Sequence, residues 1–298
     1  MFTAPSVEGC VATSTDGAVN ILLLGDDADL ATTLGTQGYR VDAASIIRLD
    51  EHGAHLLSVP RDLADPVTGQ RLSESAGGGE VGDDGFVDRA AALESGIAAI
   101  RARLGDVPVD HVVRLGFAGF VDLVDALGGV PIRVQRPIVD APTGTNLQPS
   151  ADCQLLDGVT TLGLTRARHV AGDPTSDFGR TARQRLLLQS VLTQADVSDV
   201  DALSRVLADH ATVSGGLDLA TMVELGRRLA GTTSIDAPTL PVIAAQRPDG
   251  AVVLELAAGA ADVLRDFGAD APLEGTVAPA GEGIVGVDPA ASPDLAPC

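Results

Sequence analysis

The sequence contains no lysine and no tryptophan, and it is poor in aromatic residues generally. Among 298 residues there are one Tyr and six Phe, and the 20 basic residues are all arginine. The chain therefore has no lysine to form a Schiff base or to act as a nucleophile. Nucleic-acid binding depends largely on basic surfaces and on aromatic rings that stack on bases. The formal net charge of −21 and the shortage of aromatic rings exclude nucleic acid as an expected partner.

Long apolar runs and cysteine are also scarce. No segment approaches the roughly 18 apolar residues that a membrane-spanning helix needs. Residues 1–17 are interrupted by polar residues and carry no basic side chain, so we interpret them as a leader and not as a secretory signal. Either the protein is cytoplasmic or the sequence begins after the natural N-terminus. Cys10, Cys153 and Cys298 are too few for a disulfide framework and fit no zinc motif, although they allow one disulfide and one free thiol.

The sequence does contain enough apolar residues, 45%, to build a large core. Strand-like apolar runs alternate with segments of helical periodicity, such as the helix predicted over residues 86–104. This alternation predicts a single α/β domain over residues 18–267. Gly, Pro, Ala and Asp dominate residues 268–298, where we expect a disordered tail.

Residues 163–189 contain a density of arginine that is unusual in so acidic a chain: Arg166, Arg168, Arg180, Arg183 and Arg185. The first two are two residues apart, so on an extended segment their side chains leave by the same face. A helix is predicted to begin near the third, with Ser176 or Asp177 as its N-cap, and it places Gln184 on the same stripe as the third and fourth arginines. Guanidinium groups and helix N-termini both bind phosphate, so the segment indicates a phosphate or pyrophosphate site. The alternative is a solvated basic face paired with acids.

Three strand-like segments near the N-terminus carry charged residues at their ends. The first run ends at Gly25 and is followed by acids, the second begins with Arg40 and Asp42, and the third ends in Arg61 and Asp62. Charged strand ends are commonly no more than solvated termini, so each one alone indicates little. Three in succession predict convergence on one site, because function in α/β sheets gathers at strand ends.

Six segments, taken together in their order and spacing, carry a resemblance to a known family. They are NILLLGDDAD (20–29), YRVDAASII (39–47), LLSVPRD (56–62), VDHVVRLGFAGFVDLVDALGGVPIRV (109–134), CQLLDGVTTLGLTRARH (153–169) and DFGRTARQRLLLQ (177–189). No single segment is decisive. On all six, the chain resembles the LytR-CpsA-Psr family of bacterial cell-wall phosphotransferases.

The resemblance implies an α/β fold, namely a three-layer α-β-α sandwich with a central mixed β-sheet. It also implies an enzyme that transfers a glycopolymer, as a phosphodiester, from a polyprenyl pyrophosphate carrier to peptidoglycan. The implied partners are the lipid-linked glycopolymer, the peptidoglycan acceptor and the membrane surface, at the extracytoplasmic face of the bacterial cell membrane. The family's N-terminal membrane helix has no counterpart in the sequence, so we expect the native anchor to be absent from this chain.

The resemblance also implies roles for individual residues. Asp27 and Asp42 match the family's magnesium carboxylates, and Mg²⁺ or Mn²⁺ is the implied cofactor. These two aspartates and Arg61 are the implied catalytic residues, and one carboxylate would assist deprotonation of the attacking sugar hydroxyl. Asp62 and Asp177 match acids that orient the arginines, whereas Arg185 lies outside the match and is expected on the surface. The implied pyrophosphate ligands are Arg40, Arg61, Arg166, Arg168, Arg180, Arg183 and Gln184.

General chemistry supports the same set of residues independently. Mg²⁺ in phosphate chemistry is held by one or two carboxylates together with substrate oxygens and water. Phosphoryl transfer needs in-line placement and neutralisation of charge, with little covalent help from the protein. Two aspartates and a group of arginines are therefore the residue types that this reaction requires.

Three positions depart from the family pattern. Asp29 stands where an arginine is usual, Ser73 replaces an amide within Arg71-Leu72-Ser73, and Gly116 stands where an acid is common. Each change would weaken the grip on phosphate or the placement of the acceptor. An alternative function is therefore a degenerate member that binds polyprenyl phosphate or scaffolds wall assembly without chemistry. A third, a soluble pyrophosphatase that acts on nucleotides, is disfavoured by the shortage of aromatic rings to stack on a base.

Overall fold

The computed structural model of the protein describes residues 17–27, 40–75, 89–170, 177–194, 200–214, 217–230, 232, 235–269 and 294–298. The chain divides into two compact units: residues 1–117, 211–218 and 238–286 form the first, and residues 118–210, 219–237 and 287–298 form the second. The stretch predicted as one domain, 18–267, contributes to both units. Apart from Gly17, the predicted leader lies outside the described residues.

Strands and helices alternate along the described chain. The strands are β1 (Val19–Asp26), β2 (Val41–Leu49), β3 (Ala54–Val59), β4 (His111–Gly116), β5 (Val130–Val134), β6 (Ile138–Asp140), β7 (Thr145–Leu147), β8 (Gln154–Leu156), β9 (Ala211–Val213), β10 (Ile235–Asp236), β11 (Val242–Gln246), β12 (Val252–Leu256) and β13 (Leu295–Pro297). The helices are α1 (Leu72–Ser75), α2 (Arg89–Leu104), α3 (Phe117–Ala126), α4 (Gly158–Arg166), α5 (Asp177–Gln194), α6 (Val200–His210), α7 (Leu219–Ala230) and α8 (Ala260–Asp266). Within the described residues, none of these helices combines the length and the apolar character that a membrane crossing requires.

The first unit is built on a mixed β-sheet, in which its strands lie in the order β3-β2-β1-β4-β9. Strand β1 is antiparallel to β2, with Ile21 opposite Ile47, and parallel to β4, with Leu22 opposite Val112. Successive residues of β1 are buried, so apolar side chains lie on both of its faces, and this explains its nearly unbroken apolar sequence. The α/β fold with a central mixed sheet, expected from the sequence, is confirmed.

Helix α2 approaches this sheet closely at a glycine. A Cβ atom on Gly96 would come within 2.6 Å of the Leu24 Cδ1 atom of β1. Ile97 and Ile100 are buried beside it. Glycine inside a helix costs about 1 kcal/mol relative to alanine, so its presence here is explained by the space that the sheet leaves for the helix.

The second unit has an apolar core of its own, and its buried members are Val124, Val130, Ile132, Val134, Ile138, Leu147, Leu156, Leu164, Ala167, Val170, Leu187, Val191 and Leu295.

Helix α4 begins at an N-cap, Asp157, whose carboxylate accepts a hydrogen bond of 2.8 Å from the backbone N–H of Thr160. Helix α3 is followed by Gly128 and Gly129, both with positive φ, a conformation that glycine adopts readily where a helix ends.

The end of the chain differs from the sequence-based expectation. Strand β13 pairs antiparallel with β5, Leu295 is buried opposite Val134, and Cys298 forms a disulfide with Cys153. The prediction of a disordered tail is therefore wrong for residues 294–298, while residues 270–293 lie outside the described part. Composition was misleading because one buried leucine and one covalent bond are enough to hold a short strand.

Candidate functional site

Several charged residues meet at one edge of the sheet in the first unit. The register places Asp26 at the end of β1 opposite Val41 at the start of β2, and opposite Gly116 at the end of β4. Val59, at the end of β3, lies opposite Ala44 of β2, so this strand also ends at the same edge. The charged residues at or just beyond these strand ends, called the charged edge below, are Asp26, Asp27, Arg40, Asp42, Arg61, Asp62 and Arg114.

Asp42 and Arg61 form an ion pair at the charged edge. A guanidinium nitrogen of Arg61 donates to a carboxylate oxygen of Asp42, and the two side chains are 14% and 24% exposed for Arg61 and Asp42 respectively. Arg61 lies in a turn closed by a hydrogen bond of 3.0 Å from the backbone N–H of Leu63 to the carbonyl of Pro60. The structure therefore brings together two of the predicted site residues, one on β2 and one in the turn after β3, and leaves both partly open to solvent.

Asp27 is held against the start of β2. Its Oδ1 atom accepts a hydrogen bond of 2.6 Å from the backbone N–H of Arg40, and its own N–H donates to the Arg40 carbonyl at 3.3 Å. Asp27 is half-buried and Arg40 is exposed. Asp27 and Arg40 therefore meet through the main chain, which leaves the Arg40 guanidinium outside this contact. Asp29, the first departure from the family pattern, lies outside the described residues.

Sequence reasoning missed a buried ion pair at the same edge, between Asp26 and Arg114. The Arg114 Nε atom donates to the Asp26 carboxylate, and the two side chains are almost fully buried. The two residues are far apart in the sequence, and only the parallel pairing of β1 with β4 brings them together. Gly116, where the family commonly has an acid, lies opposite Asp26, so a carboxylate is present in the neighbouring strand.

Asp62 lies between two arginines. Its carboxylate is 3.8 Å from the Arg61 Nε atom and 3.5 Å from the Arg71 Nε atom. The backbone N–H of Ser73 donates to the Arg61 carbonyl at 2.9 Å, so this departure from the family pattern lies directly behind Arg61. Farther back, the buried Arg103 guanidinium donates to the Leu63 carbonyl at 2.8 Å. The segment that carries Arg61 is thus fixed from several sides.

The charged edge suits a divalent ion that is shared with a substrate. Among the described residues there is no cluster of three or more His, Cys, Asp or Glu that could hold a metal alone. Asp27 and Asp42 offer two carboxylates at one edge of the sheet, which is part of the oxygen shell that a divalent ion needs. Mg²⁺ takes one or two carboxylates and completes its shell with phosphate oxygens and water, so the donor set fits this ion.

The arginine-rich segment belongs to the second unit. Arg166 ends helix α4 and Arg168 follows it, and both side chains are half-buried. Behind them, the Gln184 side chain donates to the Thr165 carbonyl at 3.0 Å, and Arg183 donates to the Ala167 carbonyl at 2.7 Å. Side chains on helix α5 therefore form hydrogen bonds to the main chain that carries the arginine pair.

The three arginines on α5 are all buried. Arg183 is fully buried and also lies 3.3 Å from the Asp294 carboxylate, and Arg180 is 4% exposed. Arg185 is buried as well and donates to the Ala237 carbonyl at 3.1 Å, so the prediction that it lies on the surface is wrong. The side chain of Asp177 lies outside the described part of the structure. A buried guanidinium such as that of Arg183 has no free surface for a ligand in this conformation.

Comparisons with known proteins agree with the fold and cover both units. The model of the LytR_cpsA_psr family matches residues 4–266. The probable cell wall biosynthesis protein LcpB of Corynebacterium glutamicum is 28% identical over 187 residues, which cover 59% of this chain and 42% of that protein. The polyisoprenyl-teichoic acid–peptidoglycan teichoic acid transferase TagU of Halalkalibacterium halodurans is 29% identical over 218 residues, 71% of this chain and 65% of that protein.

A solved structure shows the same fold. The LytR-Csp2A-Psr enzyme from Actinomyces oris aligns with a TM-score of 0.64 at 22% identity, over 89% of this chain and 97% of that one. Against the two curated relatives, by contrast, the matched part spans less than two thirds of their length, 42% of LcpB and 65% of TagU. Since the family model covers most of the sequence, the chain belongs to the LytR-CpsA-Psr family.

Proposed function

We propose that the protein transfers a glycopolymer, as a phosphodiester, from a polyprenyl pyrophosphate carrier to peptidoglycan. The observation that carries this proposal is the charged edge, where Asp42 pairs with Arg61 and Asp27 lies on the neighbouring strand end. Membership in the LytR-CpsA-Psr family supports it, as does the name of the relative TagU, a teichoic acid transferase. The sheet edge offers carboxylates beside cations, the combination that a diphosphate and its metal ion require.

In the proposed reaction, a hydroxyl oxygen of the acceptor sugar bonds to the phosphorus atom next to the glycopolymer. The bond from that phosphorus to the bridging oxygen of the pyrophosphate breaks, and polyprenyl phosphate leaves with the electron pair. The hydroxyl proton passes to a carboxylate, either Asp27 or Asp42. Both are half-buried side chains at strand ends, where the sheet holds them in fixed positions. Such fixed positions favour catalysis, because the side chains need little reorganisation to reach the transition state.

Asp27 and Asp42 would hold the metal ion, and when bound Mg²⁺ would supply positive charge to the phosphoryl oxygens. Arg61, already beside Asp42, would donate to the diphosphate from the same edge. Arg166 and Arg168, which belong to the second unit and are partly exposed, would bind phosphate oxygens through their guanidinium groups. The buried Arg183 and the Gln184 amide would act behind them, by holding the main chain at Ala167 and Thr165.

The proposal also states that the reaction takes place outside the cytoplasmic membrane. The disulfide between Cys153 and Cys298 supports it, because disulfides persist in oxidising compartments and are rare in the cytoplasm. Both donor and acceptor of the proposed reaction belong to the same compartment, and the membrane surface would present the carrier lipid.

Titration calorimetry with inorganic pyrophosphate in the presence of Mg²⁺ tests the proposed binding of the diphosphate by these arginines. Arg61→Ala and Arg168→Ala should each weaken binding by about tenfold or more, as expected for loss of a charge-assisted hydrogen bond. Arg265→Ala is the matched control, since Arg265 is a surface arginine, 62% exposed, that pairs only weakly with Asp262. Unchanged pyrophosphate affinity in both Arg61→Ala and Arg168→Ala would refute the proposed function.

The second candidate function is a module that retains polyprenyl phosphate without turning over a donor. The presence of Ser73 in place of an amide side chain favours it. This residue is next to Arg61, because its backbone N–H donates to the Arg61 carbonyl. Purified protein that carries polyprenyl phosphate, and that releases none from a glycolipid donor at any Mg²⁺ concentration, would select this alternative.

A further inference from the structure

The second unit contains a buried carboxylate that the proposed reaction does not use. Asp140 ends strand β6 and is only 1% exposed. One of its oxygens accepts a hydrogen bond of 2.8 Å from the backbone N–H of His169 and lies 3.3 Å from the His169 Nδ1 atom. The other accepts from the Thr143 hydroxyl at 2.8 Å. The backbone N–H of Arg168 also donates to this carboxylate.

These contacts keep the carboxylate charged despite its burial. Burial alone would favour the neutral acid, but the hydrogen bonds from Thr143 and from the two backbone N–H groups outweigh it and lower the pKa of Asp140 below its ordinary value. A buried charge without partners would be strongly unfavourable. The ionised Asp140 therefore depends on the main chain at Arg168 and His169, and this main chain depends on Asp140 in turn.

The segment held in this way is the one that carries the arginine pair. Helix α4 ends at Arg166, and Ala167 takes φ −59° and ψ 126°, so the chain leaves the helix one residue before Arg168. The Ala167 carbonyl accepts from the buried Arg183, which in turn lies beside the Asp294 carboxylate of the C-terminal segment. Residues 166–169 are thus fixed by Asp140 on their N–H groups and by Arg183 on a carbonyl.

We propose that Asp140 is a positioning residue, which orients Arg168 for phosphate binding through the backbone of Arg168 and His169. This inference rests on the proposed role of the arginine pair as a diphosphate ligand. Asp140 itself is too buried to touch a ligand, so its effect passes through the main chain. A short non-helical segment that bears a long cationic side chain would otherwise sample many orientations, and ordering it beforehand improves affinity.

A double-mutant cycle between Asp140 and Arg168, read by titration with inorganic pyrophosphate and Mg²⁺, tests the proposal. Asp140→Ala should weaken pyrophosphate binding by about tenfold, which lies within the coupling range of residues in one hydrogen-bond network. In an Arg168→Ala background the same change should add less than about twofold, because the side chain that Asp140 orients is gone. Asp140→Asn should recover most of the affinity, since its amide can still accept from His169 and bond to Thr143.

Two further measurements separate positioning from a general loss of structure. Hydrogen exchange at the amides of Arg168 and His169 should be faster in Asp140→Ala than in wild type, with the rest of the second unit unchanged. Asp157→Ala is the matched control, because Asp157 also accepts a backbone N–H but at the far end of helix α4. Its pyrophosphate affinity should equal that of wild type. If Asp140→Ala does not fold, Asp140→Asn carries the same cycle with an expected loss of about twofold to threefold.

The outcomes are distinguishable. Wild-type affinity in Asp140→Ala, or an equal loss with and without Arg168, would overturn the positioning role and leave the proposed function standing. Wild-type affinity in Arg168→Ala would overturn the diphosphate role of the arginine pair, and the positioning role of Asp140 with it.

Discussion

The disulfide between Cys153 and Cys298 should be a major contributor to stability. The two cysteines are 145 residues apart, so their bond closes a very long loop and restricts the unfolded chain. In the chain-entropy treatment a loop of this length contributes about 5 kcal/mol at 25 °C, and removal of a native disulfide typically costs about 2–5 kcal/mol. Cys153 precedes β8 and Cys298 follows β13, so the bond also links these two strands, which both pair with β5.

The perturbation is the double variant Cys153→Ser with Cys298→Ser, studied by urea unfolding under oxidising conditions. Its unfolding midpoint should lie well below that of wild type, by the equivalent of at least about 2 kcal/mol. Wild type treated with reductant should unfold like the double variant. Cys10→Ser is the matched control, because it removes a thiol and leaves this disulfide intact.

Two results would refute this reasoning. Coincident unfolding of the double variant and wild type would mean that the loop closure has no energetic consequence. A similar loss of stability in Cys10→Ser would mean that the effect of cysteine substitution does not come from the disulfide.

The remaining predictions concern packing and pH. Gly96→Val should lower the free energy of unfolding by about 1–3 kcal/mol, measured by urea unfolding, because its side chain would collide with the buried Leu24. Gly96→Ala should stay within about 1 kcal/mol of wild type, since better helix propensity offsets the smaller clash; equal stability of the Val and Ala variants would contradict this account. The pKa of Asp140 is lowered on folding, so its contribution to stability is complete above its ordinary pKa and is lost as pH falls through the folded value. The stability gap between wild type and Asp140→Asn should therefore be constant above about pH 5 and shrink below about pH 4, and a gap that widens in acid would show the opposite sign.

Local sequence pattern predicted the framework of the fold well. Strands β1, β2 and β3 are apolar runs bounded by charges, and the glycine pair at Gly128 and Gly129 marks the end of α3. Strand β13 could not be predicted in this way, because its order comes from a partner strand and a disulfide more than a hundred residues away. Pairings of that range leave no periodic signal in the sequence.

In the candidate site, too, some features could be predicted from the local sequence and others could not. Charges at three successive strand ends predicted that Asp42 and Arg61 would converge, and the sheet register brings them together. The pair of Asp26 with Arg114 was missed, because an arginine inside an apolar strand carries no mark of its partner. Asp140 was missed for a related reason: in the sequence it is one acid in a Pro- and Gly-rich stretch, and only the folded chain shows what its carboxylate holds.

The most direct test of the central claim is the turnover of Asp42→Ala compared with Asp50→Ala. Both aspartates pair with an arginine, but Asp42 lies at the start of strand β2, whereas Asp50 follows its other end and lies 3.2 Å from Arg48. Release of polyprenyl phosphate from a polyprenyl pyrophosphate-linked oligosaccharide, with peptidoglycan as acceptor, should fall by at least about a hundredfold in Asp42→Ala. It should stay close to the wild-type rate in Asp50→Ala. Full release by Asp42→Ala would contradict the assignment of the charged edge as the centre of the transfer reaction.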